Sequence, residues 1–207
     1  MKLTIIGGSK GTGLRLADLA LSAGHEVTVV SRSGTAPSGA VKAIGSATDP
    51  GLVTAAVTGA DAVVVTVGGA KGVRHQRAAV TRTVIAAMQQ ADVRRLLVQS
   101  SLGAGDSASQ LPKPLNLIAP LVLAKPLADH NEQESAVRES GLDWTIVRPT
   151  GLTDKPATGQ WQALEVGDAG KLRGSIPRAD LAACMLEVLE ALEDSATFGA
   201  ALGVSSQ

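Results

Sequence analysis

The chain contains no tyrosine, and its only other aromatic residues are Phe198, Trp144 and Trp161. Any mechanism built on a tyrosine acid is excluded. Cys184 is the single cysteine, so no internal disulfide can form. No apolar stretch reaches the roughly 20 residues that span a bilayer. The apolar run at Leu3–Ile6 is too short for a secretory leader and gives way to glycine. Neither sign of charge is in excess: 19 basic and 19 acidic residues cancel, and no basic run stands out. Nucleic acid is therefore not an expected partner, nor is a membrane. The expectation left by these absences is a cytoplasmic protein.

What is present suits a soluble α/β protein. Hydrophobic residues make up 44% and charged residues 18% of 207 positions, enough to bury a full core. The chain is organised around Gly7-Gly8-Ser9-Lys10-Gly11-Thr12-Gly13. Before it, Lys2-Leu3-Thr4-Ile5-Ile6 reads as a buried strand. After it, Leu14–Leu21 reads as a helix. A helix N-terminus carries unpaired N–H groups and a partial positive charge, so it attracts a pyrophosphate. Side chains would block that approach, which is why the turn is glycine.

The second strand, His25–Val30, ends in Ser31-Arg32-Ser33. About 20 positions past such a turn, an acidic residue binds the adenosine ribose of NAD. Here there is no carboxylate. Arg32, with Lys10 in the turn, suits the 2′-phosphate of NADP, so NADP(H) is expected over NAD(H). Val41–Ile44 is a third strand, and Gly45-Ser46-Ala47 lies where such folds pass the adenine. Asp49-Pro50 caps and opens a helix through Val57, closed by Gly59. Ala62–Val67 is a continuous apolar run, the mark of a strand covered on both faces, with Gly68 and Gly69 at its carboxyl end.

Val73–Ala91 carries a helical pattern with Val80, Val84, Ile85 and Met88 on one face. Leu96-Leu97-Val98 is a fifth strand, ending at Gln99-Ser100-Ser101. Residues 103–113 read as a loop. Leu115–Lys125 is apolar but broken by Pro120 and followed by Pro126; it is either a flap or pocket rim, or a buried helix start or subunit contact. Ala128–Ser140 is an amphipathic helix, and Asp143–Val147 a sixth strand closed by Arg148-Pro149. Thr150–Leu172 is expected to be irregular, Arg178–Leu192 helical and Ala200–Val204 a final edge strand. Strand–helix alternation implies parallel crossovers and a doubly wound, Rossmann-type α/β sheet in one domain over 1–207. A small substrate-side portion falls at about 150–175.

Several segments together resemble the atypical short-chain dehydrogenases that bind NAD(P), a group that includes NmrA-like proteins and NADPH-dependent flavin and biliverdin-IXβ reductases. The likeness rests on Ile6–Leu14, Val27–Arg32, Gly59–Val63, Arg138–Leu142, Trp144–Pro149 and Arg178–Ala182, with Asp154–Gly159 pointing to the flavin and biliverdin reductases. It implies that Gly7, Ser9, Lys10, Gly11, Thr12 and Gly13 hold the pyrophosphate and that Arg32 holds the 2′-phosphate. It places Ser46 and Ala47 at the adenine, and Val67, Gly68, Gly69, Ser100 and Pro149 toward the nicotinamide. That superfamily usually carries a tyrosine four residues before a lysine. Lys125 fits the lysine, but the tyrosine position holds Leu121. Ser101 falls at the family's pocket serine, which makes Ser101 and Lys125 the catalytic expectations. His130 reads as a satisfied or exposed histidine, and Gly151 replaces a bulkier polar residue of related enzymes. Two functions remain: an NADPH-dependent reductase of a flavin, quinone or tetrapyrrole-type acceptor that needs no strong protein acid, or a non-catalytic NADP(H) sensor of the NmrA type.

Overall fold

Neighbouring apolar residues on one strand can both be buried only if the sheet is covered on both faces. Ile5 and Ile6, Val29 and Val30, Val63 and Val64, and Leu96 and Leu97 are all buried, and each pair is split between two cores. The computed structural model describes residues 1–68, 75–111, 124–191 and 197–207. Ten strands, five α-helices and one short 3-10 helix, Ser107–Gln110 in the stretch expected to be a loop, lie among them: β1 (Lys2–Ile6), α1 (Gly11–Ser22), β2 (Glu26–Ser31), β3 (Val41–Ile44), α2 (Pro50–Val57), β4 (Ala62–Val65), α3 (Gln76–Gln90), β5 (Arg95–Gln99), α4 (Ala124–Arg138), β6 (Asp143–Pro149), β7 (Gly151–Thr153), β8 (Trp161–Leu164), β9 (Ser175–Pro177), α5 (Arg178–Glu190) and β10 (Ala200–Ser206).

The main sheet has the order β3-β2-β1-β4-β5-β6-β10-β8, with every pairing parallel except β10 against β8. On one face Leu3, Ile5, Val27 and Leu97 meet Leu16 and Ala20 of α1 and Leu181, Met185 and Leu189 of α5. On the other, Ile6, Val30, Val65 and Val98 meet Val53 of α2, Val84 and Met88 of α3 and Val137 of α4. This is the expected doubly wound α/β fold. β1 is flanked by β2 and β4, so the chain reverses its direction of travel across the sheet there, and a crevice opens at the carboxyl ends of β1 and β4.

Local chemistry sets the element ends. The Asp49 carboxylate accepts from the N–H groups of Gly51 and Leu52, and Pro50 fills the first turn of α2, as expected. α3 runs from Gln76 to Gln90; Val73 and Arg74, at the expected helix start, lie outside the described residues. His75 stands in the left-handed region, and the Asp129 carboxylate of α4 accepts from Arg77 N at 3.1 Å and Ala78 N at 3.0 Å. That cap comes from a distant helix, so nothing local announces it. α4 starts four residues before the expected Ala128, with Pro126 in its first turn, where the missing N–H costs least.

Two expectations are corrected. The final strand is longer, Ala200–Ser206, and lies inside the sheet between β6 and β8, not at its edge. The edge is β8, within the stretch expected to be irregular. β7 and β9 also come from that region and its C-terminal border, and pair as a small parallel sheet beside the crevice. Gly69, the 115–123 segment with Leu121, and the Lys125 side chain lie outside the described residues. No helix among the described residues is long and apolar enough to cross a membrane.

Candidate functional site

In the turn between β1 and α1, close packing leaves no room for a side chain at Gly7, Gly8 or Gly13. Gly7 stands at φ +94°, and a Cβ there would lie 3.2 Å from Val67 N. At Gly13 a Cβ would come within 2.8 Å of Gly7 O and 3.1 Å of Gly8 Cα. Gly13 thus allows α1 to press onto the turn, and it does not itself face the crevice. The helix starts behind Lys10, whose side chain makes no cap, and its first turn holds no acidic residue. Its positive end is therefore available to an anion.

From this turn a cleft of about 1330 Å³ runs across the carboxyl end of the sheet. Of the residues expected from the sequence, Gly7, Ser9, Lys10, Gly11 and Thr12 line it at the turn, and Arg32, Ser46 and Ala47 beyond β2 and β3. Val67 and Gly68 line it after β4, Ser100 and Ser101 after β5, and Pro149 at the end of β6. Five cations also face it: Lys10, Arg32, Arg77, Arg173 and Arg178. Asp154 is the only carboxylate among its described lining, and it is held by Arg15 at 3.1 Å and Arg178 at 3.0 Å. Such a surface suits a ligand with several phosphate charges. Arg173 and Arg178 are not among the site residues expected from the sequence, because they reach the cleft from the approach to β9 and from the start of α5, through a fold that local spacing does not show.

Four buried polar atoms in the lining lack a partner among the described residues: Ser31 Oγ, Gln76 Oε1, Gln99 Oε1 and Thr150 Oγ1. Buried polar atoms are ordinarily paired, and a ligand with matching polar groups would pair these. The open helix end, the glycine cradle and these atoms all fit a dinucleotide.

At the inner end of the cleft, Ser100 Oγ donates to Glu134 Oε1 at 2.6 Å and stands 3.4 Å from His130 Nδ1. Both oxygens of Glu134 accept from Arg148, Nε to Oε1 at 3.0 Å and Nη2 to Oε2 at 2.6 Å. Arg148 Nη1 lies 2.7 Å from Asp106. Burial works to lower the Arg148 pKa, but the hydrogen bonds and charges of Glu134 and Asp106 outweigh it and hold the group above its ordinary value. Burial, together with the charge of Arg77, pushes His130 down to about 4. The imidazole is therefore neutral at physiological pH and is no strong acid. Gly105 is what admits the ion pair: at φ +57°, a Cβ would sit 2.5 Å from Arg148 Nη2 and 2.6 Å from Glu134 Oε2. Below the cleft mouth, Asp180 in the first turn of α5 accepts from Thr158 N, Thr158 Oγ1 and Gly159 N. These bonds outweigh desolvation and hold its pKa below the usual carboxylate value. They anchor the loop that carries Asp154. Sequence reading placed Glu134 on a helix face and Arg148 at a strand end, and no local signal joins them.

The NAD(P)H-binding family model matches residues 7–191, most of the chain. The chain belongs to that family. The NAD(P)H-binding protein is also similar over its whole length to ChuY, an anaerobillin reductase from Escherichia coli O157:H7, at 28% identity and TM-score 0.82, covering 100% of this chain and 97% of that one. A short-chain dehydrogenase/reductase from Veillonella parvula in complex with NADP shares the fold, at 20% identity and TM-score 0.83, covering 99% and 94% of the two chains. The Schizosaccharomyces pombe UPF0659 protein C216.03 is 37% identical over 87 residues, a match that spans 36% of this chain and only 34% of that protein. The resemblance to NAD(P)-binding atypical short-chain dehydrogenases seen in the sequence thus holds at the level of family and fold.

Proposed function

We propose that the protein is an NADPH-preferring reductase that passes hydride to a small conjugated acceptor of flavin, quinone or tetrapyrrole type. The observation that carries this reading is the single cleft of about 1330 Å³, which joins the open end of α1 to the polar floor at Ser100 and Ser101. Ordinary ligand sites occupy roughly 300–1,000 Å³, so the cleft has room for a flat second ligand beside a dinucleotide. The name of the Escherichia coli neighbour, a reductase, favours the same class.

Bound NADPH supplies the hydride. The chain's own residues orient and exclude water. Lys10 and Arg32, which form no ion pair among the described residues, take the phosphates, with Arg32 reading the 2′-phosphate and so favouring NADPH over NADH. Ser46 and Ala47 border the adenine, and Val67, Gly68 and Pro149 the nicotinamide. Ser101 orients the acceptor or the carboxamide, and Lys125 holds a ribose hydroxyl. With no tyrosine in the chain and His130 held neutral by burial, no strong protein acid stands among the described residues of the lining. Acceptors that can be protonated late, by solvent, are favoured over unactivated ketones.

The test is steady-state oxidation of NADPH by the purified protein against flavins, quinones, linear tetrapyrroles and aldehydes. Ser101→Ala should lower turnover about tenfold, the loss of about 1.4 kcal/mol, and Lys125→Ala should act mainly on cofactor affinity. Tight NADPH binding with no acceptor turned over would replace the reductase with a nucleotide sensor. Rapid ketone reduction would show that a proton donor has been overlooked.

A further inference from the structure

The direction of the hydrogen bonds at the inner end of the cleft limits what a ligand can offer there. A serine hydroxyl has one hydrogen to donate and two lone pairs with which to accept. Glu134 accepts from Arg148 at both oxygens and from Ser100 at Oε1, so the Ser100 hydrogen points at Glu134 and away from the cleft. Reversing it would leave a carboxylate oxygen facing serine lone pairs, with both groups buried. His130 Nδ1, 3.4 Å from the same Oγ, then carries the imidazole's hydrogen, since it meets a lone pair and not a proton. Its other nitrogen, Nε2, is an acceptor. A second observation points the same way: the amide oxygens of Gln76 and Gln99 are buried in the cleft lining with no donor among the described residues.

We propose that the Arg148–Glu134 pair fixes Ser100 and His130 as an accepting subsite, which selects a ligand presenting a planar N–H edge: the carboxamide of the nicotinamide, or the lactam, pyrrole or imide N–H of the acceptor. This rests on the reading of the cleft as a dinucleotide-dependent reductase site and narrows it. Where the acceptor supplies that edge, quinones, which offer only acceptor oxygens, are not preferred substrates; where the carboxamide supplies it, the subsite fixes the nicotinamide and leaves the acceptor open. Ser100 is a specificity-determining residue that touches the ligand, while Glu134 and Arg148 are positioning residues that act through it.

The experiment compares two ligand pairs by equilibrium titration. One pair is NADP⁺ and its 3-acetylpyridine analogue, which lacks the carboxamide N–H. The other is lumiflavin and 3-methyllumiflavin, which lacks the imide N–H. Wild-type protein should bind the N–H member of at least one pair about tenfold more tightly, the effect of one buried hydrogen bond left unmade. Ser100→Thr should keep that preference and Ser100→Ala should abolish it. Urea unfolding of both variants checks that they fold, and Ser100→Thr leaves Glu134 its donor if Ser100→Ala does not fold. A preference in the dinucleotide pair assigns the subsite to the carboxamide, and one in the flavin pair assigns it to the acceptor. No preference in either pair, or a preference unchanged in Ser100→Ala, overturns the inference. Turnover is read separately. If NADPH is oxidised by some acceptor but neither pair discriminates, only this inference falls. If no acceptor is turned over, the reductase reading falls and the dinucleotide pair still decides this one.

Discussion

Glu134 on α4 and Arg148 at the end of β6 grip each other through two hydrogen bonds of 3.0 and 2.6 Å, with neither side chain more than 2% exposed. Removing one partner leaves a buried charge without its counter-ion. Glu134→Ala or Arg148→Ala should each cost about 3–5 kcal/mol in urea unfolding, whereas a double change to Leu and Met should cost less than the two single losses combined. If the single losses simply added, the two residues would not be energetically coupled.

Gly105 and Gly59 both sit at positive φ, yet their surroundings differ. A Cβ on Gly59 meets nothing within 4 Å, and one on Gly105 meets the Arg148–Glu134 pair. Gly59→Ala should cost about 1 kcal/mol from backbone strain alone. Gly105→Ala should cost about 2–4 kcal/mol, because overpacking is added. Equal melting-temperature shifts for the two would rule out the steric argument at Gly105.

Arg32 faces the cleft and forms no ion pair among the described residues. Arg32→Ala should weaken NADPH binding by about 1.5–3 kcal/mol, the loss of a charge-assisted contact, and leave NADH nearly unchanged. Fluorescence titration with both cofactors measures the difference. An equal loss for both would mean that Arg32 does not read the 2′-phosphate.

His130 has a pKa of about 4 in the fold against 6.5 when free. As pH falls through 6.5, the unfolded chain binds this proton first, so stability present above that pH declines toward pH 4, by at most on the order of 3 kcal/mol. Asp106, Asp129 and Asp180 are all held below their ordinary value, so their contributions are lost only at more acid pH. His130→Asn should flatten the stability–pH curve between 6.5 and 4 and leave the acid limb intact. A wild-type curve flat across that window would show that His130 is more open to water than its burial implies.

The parts of the site that could be read from the sequence are those made by local chain geometry. The Gly7–Gly13 turn, the Asp49-Pro50 helix start and the two-sided burial of Val63–Val65 each depend on residues within a few positions. Parts made by pairing across the fold could not be read. Glu134 and Arg148 are ordinary residues on a helix and a strand until the α4–β6 crossover brings them together. The edge strand β8 carries only four residues, half-buried, and its sole ladder is with residues 203–206. The surroundings of Ser100 and Ser101 are hidden in the same way. Both line the cleft, but only the environment of Glu134 and His130 distinguishes them, and that environment lies 30 or more residues further along the chain.

The interior place of β10 sets an order of assembly. β1 to β5 span residues 2–99 and can form their ladders among themselves, including both sides of the crevice at the switch point. Among the described residues β8 pairs with β10 alone, and β10 follows every other strand in chain order. During vectorial synthesis, the phosphate turn can therefore be in place while the far edge of the sheet still waits for residues 200–206. The nucleotide half then stands as a platform on which the opposite wall of the cleft closes late, across long sequence separations that slow the step.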